Sequence, residues 1–481
     1  MWDCAAGTGN LLAGLTNKYN IWASTLDQSD VNAMHDRIEN GAILLPNHCF
    51  QFDFLNDDFS KLPQGLQDII NDDKKRKKLV IYINPPYAEA PQRSFEKDGK
   101  SGVEQSFVNK KYAKILGQGN RELFIQFFTR INHEIQGCYL AEFSKLKILQ
   151  GQHFTDFRKI FLAHLEKMFV VPADSFDNVK GKFPIGFMIW NSQKEEVFKE
   201  AIADVFDNDG NYLLKKKFIA YDDNHYINEW IKPFRANKND KHIVGKFPFM
   251  GNDFQQQNII QINHLNMIYN KAAGQFLINS NNLIIACIYF AVRKSIDANW
   301  LNDRDQFLYP NDGWKTDLEF QNDCLAFTLF SNNIQSKFGT NHWIPFTEQE
   351  VNAKDKFESN FMTQFIKGKI KQEQTPDLFV IPRNEESHNI QKPLEFSEKA
   401  TNVFNAGKEL WKYYHAQPIV NVNASLYDIR EYFQGRNEAG KMNNKSADEN
   451  YMKLITQLRD NLKLLAKKIE PKVYEYDFLK E

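Results

Sequence analysis

Through the first 191 residues, short apolar runs alternate with longer stretches whose apolar positions recur every three or four residues. The short runs are Ile21–Asp27, His48–Leu55, Lys78–Asn84, Cys138–Ser144, Lys167–Ala173 and Ile185–Asn191. Each is strand-length and ends at or near an acid, an amide or a small residue, which predicts buried strands. Between them, Arg121–Ile135 and Phe154–Leu165 carry helical periodicity. Strands alternating with helices predict an α/β domain with a mostly parallel, doubly wound sheet. Residues 88–120 are rich in Lys, Gly, Gln and Ser and show no period, so a long loop is expected there.

Beyond residue 191 the alternation stops. The stretch Asp204–Tyr221 predicts a hairpin that turns at "DNDG". Residues 246–440 mix apolar runs with Asn-, Asp- and Gly-rich turns, and Asn450–Pro471 predicts an amphipathic helix closed by its proline. Four segments follow from this pattern: 1–191, 192–245, 246–440 and 441–481. No internal repeat is evident.

Composition alters this picture little. The 481 residues are 42% hydrophobic with a formal net charge of −1, which suits a folded core. A polyanionic partner would need local basic patches rather than a basic chain. The run "KKRKK" at 74–78 reads as a solvated face before a strand in preference to a phosphate site. No apolar run has membrane-spanning length; "NLIIACIYFAV" at 282–292 stops at Arg293 and Lys294. Cysteines 4, 49, 138, 287 and 324 are scattered with no CxxC, and no secretory leader is read at Met1. A cytoplasmic location with no metal site is the expectation.

Chemistry concentrates in two motifs and two acids. "INPPY" closes the third strand: Pro85 and Pro86 cannot continue it, so Asn84, a prolyl carbonyl and the Tyr87 ring are held in one stiff corner. "DCAAGTGNLL" carries Gly7 and Gly9 at a strand-to-helix turn, with an amphipathic helix expected from Asn10. Alone, a GxG is weak evidence. Asp27 ends the run Ile21–Asp27, where a carboxylate can accept from both hydroxyls of a ribose. Asp53, followed by Phe54, stands near the end of the run His48–Leu55 and could meet an adenine. Either acid could equally be an N-cap or a turn residue.

This ordered set resembles the S-adenosylmethionine-dependent DNA adenine-N6 methyltransferases of restriction-modification and phage-defence systems, across residues 1–191. A chance Asn-Pro-Pro-Tyr is expected in on the order of a few per thousand chains of this length, so the pair of motifs is specific. The resemblance implies a Rossmann-like methyltransferase domain, a mixed α/β target-recognition region at 246–440 and a C-terminal helix. It implies that Asp3, Ala5, Gly7 and Gly9 shape the methionine end of the S-adenosyl-L-methionine site. Asp27 would hold the ribose, and Asp53 and Phe54 the cofactor adenine. Asn84 and the Pro85 carbonyl would accept from the target N6 amine, with Pro86 stiffening the corner. Tyr87 would stack on the flipped base, with Phe176 or Phe183 on its other face.

The partner implied is double-stranded DNA with a flipped adenine, with no membrane involved. In this family more chain precedes the glycine motif, so an N-terminally short chain is expected. A separate polypeptide could supply the missing segment, and a restriction endonuclease could be a further partner. "TPDLFVIPRNEES" at 375–387 lacks the lysine of a nuclease signature. Within 246–440, "NHWIPF" and "REYFQGRN" are polar–aromatic mixtures suited to base or backbone contacts. Two other readings stay open: an inactive DNA-binding remnant, and a methyltransferase of a protein glutamine or an RNA guanine.

Overall fold

In this computed structural model, residues 1–87, 106–176, 179, 181–237, 240, 242–267, 274–370 and 392–480 are described. They form two compact units. The first comprises Met1–Asp223 with Asn299–Asp305; the second comprises Asn224–Ala298 and Gln306–Lys480.

The first unit is an α/β domain built on one nine-stranded sheet. Its strands are β1 (Trp2–Asp3), β2 (Trp22–Thr25), β3 (Cys49–Gln51), β4 (Val80–Ile83), β5 (Tyr139–Lys145), β6 (His164–Pro172), β7 (Pro184–Asn191), β8 (Glu200–Phe206) and β9 (Tyr212–Ile219). Its helices are α1 (Gln28–Glu39), α2 (Gln64–Asn71), α3 (Asp73–Arg76), α4 (Phe107–Leu116), α5 (Leu123–Glu134), α6 (Lys147–Gln150) and α7 (Thr155–Ile160). The strand order is β3-β2-β1-β4-β5-β7-β6-β8-β9. Neighbours run parallel except β5–β7, β7–β6 and β8–β9. Successive residues of a strand face opposite sides. On β2, Trp22 accordingly joins one apolar cluster with Phe124 and Phe128 of α5, and Ala23 joins another with Val31 and Met34 of α1.

Several expectations need correction. Asn10 starts only a three-residue 3₁₀ turn, Asn10–Leu12, not an α-helix. Gly9 and Gly14 both have positive φ, +80° and +87°, and the few residues between them cannot sustain helix nucleation. Helix α4 falls inside the stretch expected as loop. The Ser106 hydroxyl accepts from the Asn109 N–H and caps it, and Val108, Tyr112 and Leu116 bury one face. The rest of that stretch, 88–105, lies outside the described residues. The helix expected to reach Leu165 ends at Ile160, because the N–H groups of Ala163 and His164 donate instead to Glu196 and Lys194 carbonyls. The β8–β9 hairpin extends the sheet, so the first unit runs well past residue 191.

The second unit combines helices with one short antiparallel strand pair. It contains α8 (Ile227–Ile231), β10 (Gly245–Pro248), β11 (Gln275–Ile278), α9 (Leu283–Lys294), α10 (Leu318–Leu329), α11 (Phe361–Ile366), α12 (Glu398–His415), α13 (Leu426–Gln434) and α14 (Glu449–Glu475). Strands β10 and β11 pair antiparallel. The apolar run at 282–292 is α9, buried throughout in this core. Helix α14 does not stop at Pro471 but continues through it. Proline forfeits one hydrogen bond there, while Val473 is fully buried and the Tyr476 hydroxyl donates to Asp317 at 2.6 Å. In "NHWIPF", Trp343, Ile344 and Phe346 are core residues, and the Trp343 indole N–H donates to the Val244 carbonyl at 2.7 Å. Residues 375–387 lie outside the described residues. No helix among the described residues is long and apolar enough to cross a membrane.

Candidate functional site

From β1 the chain moves outward to β2 and β3, then returns to place β4 on the other side of β1. The carboxyl ends of β1 and β4 are therefore the topological switch point, where open α/β sheets form their ligand crevice. The glycine motif leaves β1 there, and Asn84–Tyr87 leaves β4 beside it.

Strand β1 has only two residues, yet it is firmly held. Trp2 is fully buried, its indole N–H donates to the Ser24 hydroxyl at 3.0 Å, and it registers with Trp22 and Ile81 on the flanking strands. Burial of an aromatic this size stabilises by roughly 2–3 kcal/mol. This anchor carries Asp3 to the strand end. One Asp3 oxygen, Oδ1, accepts from the Ala5 N–H at 3.0 Å; the other, Oδ2, is buried with no hydrogen-bond partner. Burial pushes the carboxyl up to about 7, and the Ala5 N–H opposes this only in part. Gly7 has φ +51° and open space where a Cβ would stand. At Gly9 a Cβ would lie 3.2 Å from Met34 Cγ, so that glycine lets the loop close onto α1.

The two outer acids behave differently. Asp27 is the N-cap residue of α1, but its exposed side chain makes no capping hydrogen bond. The Asp53 carboxylate serves its own turn: Oδ1 accepts from the Leu55 and Asn56 N–H groups at 3.0 and 3.2 Å, and Oδ2 from the Asn56 side chain at 2.7 Å. Phe54 is buried, stacked on Phe127 at 5.0 Å and edge-on to Trp2 at 5.5 Å. Its ring is a core ring and presents no free face to the crevice.

At the β4 end the Tyr87 hydroxyl lies 2.6 Å from Asn84 Oδ1 and 3.1 Å from the Phe143 carbonyl. A phenol has one proton, and the shorter contact takes it. Burial and, secondarily, the charge of Glu142 raise the Tyr87 pKa far above its ordinary value, so the hydroxyl stays a donor. Lys145 donates to the Tyr87 carbonyl at 3.1 Å and lies 5.8 Å from its ring. Pro85 is buried and Pro86 exposed. The Phe143 ring meets Phe176 edge-on at 5.3 Å, which ties Phe176 to the corner. Phe183 instead covers Gly181, where a Cβ would lie 2.6 Å from its ring.

Three neighbours of the corner were not singled out from the sequence: Glu142, Phe143 and Lys145 on β5. Parallel pairing of Ile83 with Glu142 brings them beside Asn84. Glu142 is fully buried, accepts from the Trp190 indole at 3.1 Å, and is pushed up to about 8 by burial. Only the run "CYLAEFS" hinted at Glu142 and Phe143, Lys145 lies just past it, and strand register is a non-local property. Chemically, the crevice offers a buried carboxyl with one unpaired oxygen, backbone open for close approach, an amide oxygen and half-buried aromatic rings.

No family model matches the chain, and no curated protein matches it. Solved structures do. The methyltransferase subunit of the type I restriction-modification system from Streptococcus thermophilus is 17% identical, matched over 46% of this chain and 44% of its own, with a TM-score of 0.30. The M protein of the type I restriction enzyme EcoKI is 14% identical over 43% of this chain and 44% of its own, TM-score 0.27. The DrdV–DNA complex is 14% identical over 43% of this chain and 24% of its own, TM-score 0.32. The chain thus spans less than half the length of each.

Proposed function

We propose that this chain is a site-specific DNA methyltransferase that acts on the N6 amine of a flipped adenine, using S-adenosyl-L-methionine, within a restriction-modification or phage-defence system. The observation that carries this reading is the Asn84-Pro85-Pro86-Tyr87 corner at the carboxyl end of β4, beside the glycine loop of β1 at the switch point.

The residues suit the methionine end of the cofactor. The unpaired, buried Asp3 Oδ2 calls for a cationic donor such as an α-ammonium, and the open space at Gly7 lets a ligand approach backbone. Asp27 would take the ribose hydroxyls. Asp53 still has lone pairs to offer an amino group, whereas buried Phe54 would act by shaping the wall. When bound, S-adenosyl-L-methionine supplies an electrophilic methyl on a sulfonium.

The chain's own groups would prepare the amine. An exocyclic amine is a weak nucleophile because its lone pair is delocalised into the ring. Hydrogen bonds donated by its two N–H groups to Asn84 Oδ1 and the Pro85 carbonyl would favour the pyramidal form and aim the lone pair. Positioning and fixed dipoles then carry the rate. Tyr87 and Phe176 would replace the stacking lost when the base leaves the duplex. The Tyr87 hydroxyl, now on Asn84 Oδ1, would share that oxygen or shift to the Phe143 carbonyl as the amine arrives.

A second reading, an inactive DNA-binding remnant, draws on the short 3₁₀ turn where a helix was expected to follow Gly9. Long-read modification sequencing of DNA from a methylation-free bacterial host expressing residues 1–481 separates the two. N6-methyladenine at one recurrent sequence, lost in Asn84→Ala, supports the enzyme. An unmodified genome with soluble protein present supports the remnant.

A further inference from the structure

Asn84 is the residue of the corner whose side chain has two unlike ends. Its amide carries an acceptor, Oδ1, and a donor, Nδ2, at nearly equal reach, and rotation about the last side-chain bond exchanges them. An amine that donates its N–H groups needs Oδ1 in front of it. A flipped amide would set N–H against N–H. The corner must therefore fix the amide as well as the chain.

The prolines cannot do this. Pro85 and Pro86 stiffen the backbone and carry no polar side-chain atom. Among the described residues the half-buried Asn84 side chain makes one hydrogen bond, in which the Tyr87 hydroxyl donates to Oδ1 at 2.6 Å. Tyr87 is itself held. Pro86 precedes it, its carbonyl accepts from Lys145 Nζ at 3.1 Å, and its hydroxyl lies 3.1 Å from the Phe143 carbonyl.

A phenol has one proton to give and lone pairs to offer. With the proton on Asn84 Oδ1, the amide keeps its acceptor end at the corner, and the second lone pair of Oδ1 stays open for the target amine. With the proton on the Phe143 carbonyl, the phenol oxygen becomes an acceptor and favours Nδ2 in front of it, which is the flipped amide. The hydroxyl thus selects the amide face before the amine arrives, and the Phe143 carbonyl competes for the selecting proton. Replacing the hydroxyl by hydrogen would remove this selection and leave the ring in place.

We infer that the Tyr87 hydroxyl is a positioning group that fixes the Asn84 amide with Oδ1 toward the target amine, a role separate from stacking by the Tyr87 ring. The identity of that amine rests on the proposed function; the bond between hydroxyl and amide does not.

Two arms on the full chain test it. In the first, the chain is labelled with ¹⁵N-asparagine, and the side-chain NH₂ signal that vanishes in Asn84→Asp is assigned to Asn84. Tyr87→Phe is expected to move this signal, and Tyr82→Phe, a neighbouring phenol on β4, is expected to leave it in place. A signal that ignores Tyr87→Phe overturns the bond and the inference with it.

In the second arm, single-turnover methyl transfer and the Kd are measured on a DNA duplex that carries the methylated sequence. Tyr87→Phe is expected to lower the rate about 2- to 10-fold, the worth of one neutral hydrogen bond, with the Kd nearly unchanged because the ring remains. Asn84→Asp supplies two like oxygens and has no face to select, so the further loss from Tyr87→Phe is expected to vanish in that background. Asn84→Ser serves as the alternative background should the aspartate silence the reaction. A Tyr87→Phe chain at the wild-type rate, an equal loss in both backgrounds, or a loss confined to the Kd overturns the positioning role and leaves the proposed function standing. A wild-type chain that transfers no methyl group overturns the proposed function and the positioning role together, while the first arm still decides the bond.

Discussion

Asp3 and Asp53 occupy like places: each stands at or just past the carboxyl end of a strand of the same sheet. Their surroundings are opposite. The chain after Asp53 turns back at once, so backbone and Asn56 donors satisfy both carboxylate oxygens. The chain after Asp3 runs through alanines toward glycines and returns a single N–H, leaving Oδ2 buried and unpaired. One acid stabilises its own turn. The other stores an unmet demand for a donor, at the switch point where a ligand would enter. A strand-end acid therefore gains functional meaning from what the next four residues fail to supply.

The largest effect expected from this contrast lies at the switch point itself. Asn84→Ala should lower methyl transfer by at least ~10²-fold, the scale of losing one positioned hydrogen-bonding group in a reacting site. Duplex affinity should change only a few-fold; single-turnover kinetics beside a DNA titration measures both. Asp53→Asn, at the outer strand end, should leave the single-turnover rate within a few-fold of wild type.

Next comes cofactor affinity. Asp3→Asn should weaken S-adenosyl-L-methionine binding about 10- to 100-fold by removing a charge-assisted contact. The same change should raise thermal stability, because it removes an unpaired carboxyl that burial penalises. A loss of stability would break the contrast.

The third prediction concerns pH. Asp3 has an ordinary value of 3.8 and is pushed up to about 7; Glu142 goes from 4.5 to about 8. Both are raised, so the folded chain holds protons that the unfolded chain has lost. Their contribution is complete below about pH 4 and is lost as pH rises through 7 and 8. Stability of the first unit should thus decline from pH 5 to pH 8, by on the order of a few kcal/mol for the two groups together. Denaturant melts across this range should flatten in Asp3→Asn and Glu142→Gln. The smallest effect is the stability of Asp53→Asn, expected to fall by about 1 kcal/mol through the lost turn bonds.

Much of the first unit was legible because its information is local. Each strand announced itself through a short apolar run, and the prolines marked where β4 must stop. Helix α4 could have been found as well, since Ser106, Val108, Tyr112 and Leu116 spell a cap and a four-residue repeat. The Lys- and Gly-rich residues before it obscured them. What could not be read was pairing. Phe143 touches the corner because β5 lies beside β4 in one register, and nothing in "CYLAEFS" states that register. The surroundings of Phe54 were hidden for a related reason: a ring after a strand-end acid suits a ligand, and nothing local shows that Trp2 meets it edge-on and Phe127 stacks on its face. In the second unit, helix periods were masked by short apolar turns. Pro471 was read as a stop because its local cost is plain, while the burial of Val473 that offsets it is not.

The most direct test is calorimetric titration of S-adenosyl-L-methionine into the full chain, wild type, Asp3→Asn and Asp53→Asn, at pH 6 and pH 8. The account predicts saturable binding by wild type that tightens as pH rises and the Asp3 carboxyl ionises. It predicts a large loss in Asp3→Asn with no remaining pH dependence, and a much smaller loss in Asp53→Asn. Wild-type binding that ignores both Asp3 and pH would contradict it, as would a chain that binds no cofactor at either pH.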